Sequence, residues 1–215
     1  MMKGTFIVYE FMPLRSLDLY LYEHEINKEP LDWKTRMEIA EGVAKALLYL
    51  HDQNEPPVIY VDLKTSGILL DEKFNPKLSD FGFAKLGPTW DCREAPIKLM
   101  ETIGYAPPEY FMTGKLTLRH VVYSFGVVLL ELVAGRKAIQ ENLPFLEQSI
   151  VAWAGPLLVS KKFTEIADPV LGGRYPEHEL AQALTVAENV YPRKCYQKTS
   201  YSTNCDCSFR YTLRS

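Results

Sequence analysis

The sequence predicts a mainly helical α+β fold with short strands around a cleft, on the strength of three stretches. One is Val58 to Gly82, VIYVDLKTSGILLDEKFNPKLSDFG. Within it, Gly67 to Glu72 and Pro76 to Ser79 read as two short strands joined by a turn at Lys73-Phe74-Asn75. The second runs from Trp33 to about Leu50, where Trp33, Met37, Ala40, Val43, Ala44, Leu47 and Leu50 recur every three or four residues. That spacing makes the apolar stripe of a helix, and Asp32 is placed to cap it. The third is Val121 to Ala134, apolar except for Tyr123, Ser124, Gly126 and Glu131. It is too short to span a bilayer, so it reads as a buried helix closed by Gly135.

Taken in order, the chain starts with Thr5-Phe6-Ile7-Val8-Tyr9, a β-branched and aromatic run expected to be a strand and stopped by Pro13. Ser16 to Tyr22 is expected to form a short helix with Ser16 as its cap. Pro56-Pro57 ends the helix region before the hairpin. Beyond Gly135, helical stretches at Ser149 to Leu158 and Glu177 to Glu188 alternate with turns at Asp168-Pro169 and Leu171-Gly172-Gly173. From Tyr191 onward the text is rich in Ser, Thr and Tyr and has no helical period. The expected organisation is therefore a folded unit over 1–189 and a disordered tail over 190–215, the product of a shifted reading frame or altered splicing.

Composition narrows the class. The 215 residues carry a net charge of −3, but the last 25 hold five bases (Arg193, Lys194, Lys198, Arg210, Arg214) against Asp206. The tail is thus +4 and the remainder −7. Three of the four cysteines, Cys195, Cys205 and Cys207, also fall in the tail. A single body cysteine, Cys92, argues for a reducing compartment. The C-x-C of the tail has no partner pair at zinc-site spacing. Met1 to Pro13 does not read as a signal peptide or a myristoylation signal, so neither is expected, nor is a transmembrane segment or a nucleic-acid partner.

The hairpin carries the chemistry. An acid at each end, Asp62 and Asp80, can aim two carboxylates at one point. Phosphoryl transfer needs such a pair, one to orient the attacking hydroxyl and one to hold magnesium. The motifs here (DLK, ILLDE, PKLSDFG and AKLGPT, with LDWKTRMEIA upstream and VVYSFGVVLLELVAGRKAI downstream) resemble plant receptor-like cytoplasmic serine/threonine kinases. The likeness covers roughly Thr5 to Asn189. It implies the large lobe of a protein kinase over 13–189, with 1–12 as the hinge and a remnant of the small lobe. No G-x-G-x-x-G occurs, and no counterpart of the small-lobe lysine or of the helix glutamate that pairs with it.

The resemblance assigns roles one position at a time. Asp62 matches the catalytic base and Lys64 the lysine on the transferred phosphate. Asp80 matches a magnesium ligand, Leu69 the floor under adenine, Glu10 and Met12 the hinge contacts, and Tyr9 the gatekeeper. Thr102 matches the activation-segment threonine that bonds the catalytic aspartate, and Pro107-Pro108-Glu109 stands for A-P-E. Tyr60 takes the place of the usual histidine.

Other positions depart. Val61 replaces an arginine that binds activation-loop phosphate, and valine has no donors. Gly67 replaces the asparagine that gives magnesium a second oxygen. Ala95-Pro96-Ile97 replaces a phosphorylated Ser-Thr pair, and Glu101 replaces a glycine. Val121 replaces an aspartate at the start of the central helix, where valine can neither accept catalytic-loop hydrogen bonds nor cap. Glu109 has no partner arginine.

The implied cofactors are ATP and magnesium, weakly bound, and the implied partners are a protein substrate, a partner kinase or a receptor. The implied location is the cytoplasm, at the inner face of the plasma membrane through those partners. Three readings follow: a working serine/threonine kinase, a pseudokinase or decoy, and a truncated fragment; this chain alone is expected to be catalytically defective. Self-association through an unpaired Thr5–Tyr9 strand is a further expectation.

Overall fold

A computed structural model describes residues 8–22, 29–87, 89–91 and 104–190. Elements in chain order are α1 (Asp18–Tyr22), α2 (Trp33–Asp52), β1 (Val58–Ile59), β2 (Ile68–Leu70), β3 (Pro76–Leu78), β4 (Lys85–Leu86), β5 (Thr89–Asp91), α3 (Pro108–Thr113), β6 (Lys115–Thr117), α4 (Leu118–Ala134), α5 (Ile150–Val159) and α6 (Glu177–Val190). The strands pair antiparallel as β1–β4, β2–β3 and β5–β6. A mainly helical lobe with short paired strands is thus observed.

α2 begins where its cap predicts, with Thr35 N donating to Asp32 Oδ1 at 2.8 Å. Its apolar stripe buries Ile39, Val43, Ala44 and Leu47. α4 is the axis of the lobe. Nearly every side chain from His120 to Ala134 is buried, and the helix packs against α2 and α6. A helix apolar on all sides belongs inside a protein, where its neighbours cover each face. Gly135 closes it in the left-handed region (φ 61°), its N–H donating to Glu131 O at 2.9 Å. Any larger residue there would be strained and would also run into Asp168, whose Oδ2 lies 2.3 Å from where a Cβ would stand.

Three expectations need correction. α1 starts at Asp18, because Ser16 is taken up in an antiparallel bridge to Leu69 and does not cap. The N-cap of α4 is Thr117, so Val121 sits one turn inside the helix and is a buried side chain, not a failed cap. The hairpin strands are shorter than expected, since Gly67 belongs to a 3-10 turn, Thr65–Gly67, and Asp71 to the bend. There, Asp71 Oδ1 accepts from Lys73 N and Asn75 N at 2.8 and 2.9 Å, which fixes the turn locally. The expected strand Thr5–Tyr9 lies outside the described residues up to Ile7, and Val8 and Tyr9 are not in a strand. The tail over 191–215 also lies outside them.

Candidate active site

The hairpin is held from both sides. Residues 14–17 run beside β2, with Leu14 N donating to Leu70 O (3.3 Å), Leu70 N to Arg15 O (2.8 Å) and Leu17 N to Ile68 O (2.9 Å). Strand alternation then buries Ile68 and Leu70 and turns Leu69, half-buried, to the opposite face. Of the expected hinge residues, Met12 is buried, whereas Tyr9 and Glu10 are exposed and the Glu10 carboxylate pairs with Lys77 on β3.

β1 delivers Tyr60, Val61 and Asp62. Leu63 anchors the loop with no exposed surface, which leaves Asp62 and Lys64 pointing together. Lys64 Nζ lies 2.8 Å from Asp62 Oδ2, with the side chains 23% and 11% exposed. An ammonium has three donors, so this pairing leaves others to meet an anionic group arriving from the cleft.

The Asp62 loop is stitched to the Asp80 loop. Tyr60 donates its hydroxyl to Ser79 O and sets its ring edge-on against Phe81, centroids 5.0 Å apart. Ser79 returns two bonds to Gly67 O, from Oγ (2.9 Å) and N (3.0 Å). Burial pushes the Tyr60 hydroxyl well above its ordinary pKa, and the carboxylates of Asp62 and Asp80 add to the effect. The phenol therefore stays protonated and stays a donor. Next to Ser79, Asp80 adopts φ 59° and ψ 56°. A non-glycine residue in that left-handed region costs free energy that the surrounding bonds must offset, and such strain gathers at functional sites. The result is an exposed carboxylate at the lip of the hairpin.

The departures have physical surroundings. A Cβ on Gly67 would meet Tyr60 Oη at 3.6 Å, Asp62 O at 3.7 Å and Lys64 Cγ at 3.9 Å, all ordinary contacts. The site therefore has room for a side chain and simply lacks one. Val61 is 8% exposed and Val121 1%. Beside Val121, His120 stacks edge-on against Tyr110 at 4.8 Å, and burial pushes its imidazole down to about 4. Its Nε2 has no hydrogen-bond partner among the described residues. Thr102, Glu101, Cys92 and Ala95-Pro96-Ile97 all lie outside the described residues.

A magnesium ion could be met here by Asp80, whose carboxylate is exposed, but by no side-chain oxygen of Gly67, and no group of three or more His, Cys, Asp or Glu gathers as a metal cluster among the described residues.

Two polar clusters escaped the sequence reading. Arg36 is buried on α2, donating from Nε to Leu31 O, from Nη1 to Leu132 O and from Nη2 to Asp168 Oδ2 at 2.9, 2.9 and 2.8 Å. Its signal was present: Arg36 is three residues after Trp33 and four before Ala40, on the apolar stripe itself. The other cluster centres on Glu131, a carboxylate inside an apolar helix, which receives Tyr22, Tyr105 and the Ala138 amide. A charge in such a run demands partners, but only the fold reveals which ones.

Comparison with known proteins agrees with the motifs. The model of the protein kinase domain matches residues 2–162. The chain is 57% identical over 182 residues to "Probable serine/threonine-protein kinase PBL7" of Arabidopsis thaliana, covering 84% of this chain and 48% of that one. It is 58% identical to "Serine/threonine-protein kinase PBS1" of the same plant, covering 84% and 40%. The corresponding figures for "Serine/threonine-protein kinase PBL27" are 57%, 84% and 36%. The chain thus spans less than half the length of these curated relatives. With the motifs, the lobe and these matches in agreement, the chain belongs to the protein kinase family and is similar to the plant receptor-like cytoplasmic serine/threonine kinases.

Proposed function

We propose that the site handles ATP and a protein Ser/Thr hydroxyl as a kinase does, and that the 215 residues do so weakly. The observation that carries this is the Asp62–Lys64 pair at 2.8 Å, joined through Tyr60 and Ser79 to Asp80. Asp62 would orient the substrate hydroxyl and accept its proton. Lys64 would hold the transferred phosphate, Glu10 and Met12 would meet adenine, and Leu69 would lie beneath it. Thr102 would bond Asp62. Magnesium, held by Asp80, would neutralise phosphate charge. Weakness follows from Gly67, which withholds one metal oxygen, and from Val61, which removes the charged group through which activation-segment phosphate would act.

Thermal-shift titration tests this. A binder that touches only the folded state raises its melting temperature once its concentration exceeds its dissociation constant. Magnesium-ATP is expected to shift the melting temperature only at millimolar concentration. A magnesium-dependent rise of several degrees at micromolar ATP would contradict the weakness. No shift at any concentration would leave the decoy reading in possession.

That second reading, an interaction module for a partner kinase or receptor, is favoured by Val8, Tyr9 and Phe11, which are 90%, 72% and 85% exposed. Large apolar groups so placed invite another chain. No helix among the described residues is long and apolar enough to cross a membrane. A place in the cytoplasm, at the inner face of the plasma membrane, would come through such partners. Self-association through the segment is expected at tens of micromolar, and deleting residues 1–11 should abolish it. Sedimentation of the intact chain as a stable monomer at that concentration would rule it out.

A further inference from the structure

Glu131 sits in the middle of α4 with 1% of its surface exposed. Three donors converge on it from three parts of the chain. Tyr22 of α1 donates to Oε1 at 2.6 Å, Tyr105 lies 2.8 Å from both Oε1 and Oε2, and Ala138 N donates to Oε1 at 2.9 Å. Each phenol has a second acceptor behind it. Arg136 O is 3.4 Å from the Tyr22 oxygen, and Thr65 Oγ1 is 3.5 Å from that of Tyr105. Thr65 is three residues from Asp62 and is itself buried.

The donors suit an anion. A carboxylic acid carries a proton that must itself be donated, and around Oε1 the neighbours Tyr22, Tyr105 and Ala138 N are already donors. Oε2 is different, because among the described residues Tyr105 alone reaches it. We infer that Glu131 is a proton-operated positioning residue that ties or frees the catalytic loop through Tyr105 and Thr65. As the carboxylate, it holds both phenols on α4. On taking a proton from water at Oε2, it donates to the Tyr105 oxygen, and the hydrogen of that phenol turns to Thr65 Oγ1. The bonds from Tyr22 and Ala138 to Oε1 remain. One proton is added and the Tyr105–Glu131 bond reverses. Thr65 receives the phenol hydrogen only in the acid form, so the catalytic loop is tied when Glu131 is protonated and freed when it is ionised.

The surroundings place this exchange in the neutral range. Burial disfavours the anion and, with Asp18 of α1 adding to it, raises the Glu131 carboxyl to about 7 against the pull of Tyr22, Tyr105 and the Ala138 amide. Both phenols are themselves pushed upward by burial, so neither gives up its proton first. Lys137 stands over the Tyr22 ring at 5.4 Å from its centroid. From α2 and α6, no ionisable side chain hydrogen-bonds to it among the described residues. In stability terms, the raised pKa favours the fold fully below about 4.5, the ordinary glutamate value, and this contribution is lost as pH rises through about 7.

The test uses the full chain with glutamate labelled at its side-chain carboxyl carbon and followed by NMR. It does not depend on phosphoryl transfer, so its failure would leave the kinase reading untouched. One glutamate resonance is expected to titrate with a midpoint near 7, to vanish in Glu131→Gln, and to move up by about one unit in Tyr105→Phe, which removes a donor to the anion. The backbone amides of Thr65, Ser66 and Gly67 should follow the same midpoint. In Thr65→Val the carboxyl should still titrate while those amides no longer follow, a result a purely structural glutamate would not give. A midpoint below about 5.5, closer to the ordinary glutamate range, would overturn the inference. So would catalytic-loop amides indifferent to pH in the unaltered chain, or amides that still follow the titration in Thr65→Val. If Glu131→Gln fails to fold, the Tyr105 and Thr65 variants decide the question alone.

Discussion

Asp168→Ala is expected to cost the fold about 3–5 kcal/mol, because it leaves a buried guanidinium without its counter-charge. The Arg36 side chain is 2% exposed and that of Asp168 9%. Asp168 also caps the turn that follows, its Oδ1 accepting from Val170 N at 2.9 Å, and its own N–H donates to Val133 O at 2.9 Å. The side chain therefore joins α2, the end of α4 and the Pro169–Leu171 turn at one point. Arg36 would keep its bonds to Leu31 O and Leu132 O but would lose the anion that faces its Nη2. For a domain of this size the loss corresponds to a melting temperature lower by about 10 °C. Urea denaturation monitored by tryptophan fluorescence measures it. The double variant Arg36→Met, Asp168→Leu should recover most of the loss, since an apolar pair of similar volume carries no desolvation cost. A single variant within about 1 kcal/mol of the unaltered chain, inside the ordinary range for a point substitution, would show that the pair does not hold these elements together.

Restoring Gly67→Asn and Val121→Asp together is expected to raise phosphotransfer at least about tenfold in a chimera that joins these residues to a relative's small lobe, the size typical of repairing a metal site's ligands and their supports. The two positions pose different problems. Gly67 has van der Waals room for a Cβ, the first atom of an asparagine side chain, against Tyr60, Asp62 and Lys64. Val121 is 1% exposed, so aspartate there must find catalytic-loop N–H donors or remain a buried, unpaired charge. Gly67→Asn alone should therefore be tolerated, and Val121→Asp alone should lower the melting temperature unless those donors reach it. Asp62→Asn in the repaired chimera should then remove at least about a hundredfold, the contribution of a positioned general base. Rates unchanged by the double substitution would sink the roles proposed for positions 67 and 121. Rates unchanged by Asp62→Asn would sink the proposed base.

What the sequence determined by itself was the part of the protein governed by short-range rules. The apolar stripe of α2 and its Asp32 cap, the apolar run of α4 and its Gly135 stop, and the hairpin turn at Lys73-Phe74-Asn75 each depend on residues within a few positions of one another. Only the structure drew Asp71 into that turn. The roles proposed for Asp62, Lys64 and Asp80 rest on motifs of the same short range, since each motif is contiguous. Tertiary structure alone decided the pairings of distant groups. The alignment of residues 14–17 along β2, and of β5 with β6, satisfies backbone groups across loops that no local pattern announces. Thr117 took the cap of α4 because β6 runs straight into the helix, a boundary that periodicity cannot place within a turn. Arg36 reaches Asp168 across 132 residues and Glu131 reaches Tyr22 across 109. In both cases a side chain reads as a flaw in an apolar face until the fold brings its partner. A buried charge is tolerable only where geometry meets it with an opposite charge or with donors, and that geometry exists only once the helices have packed.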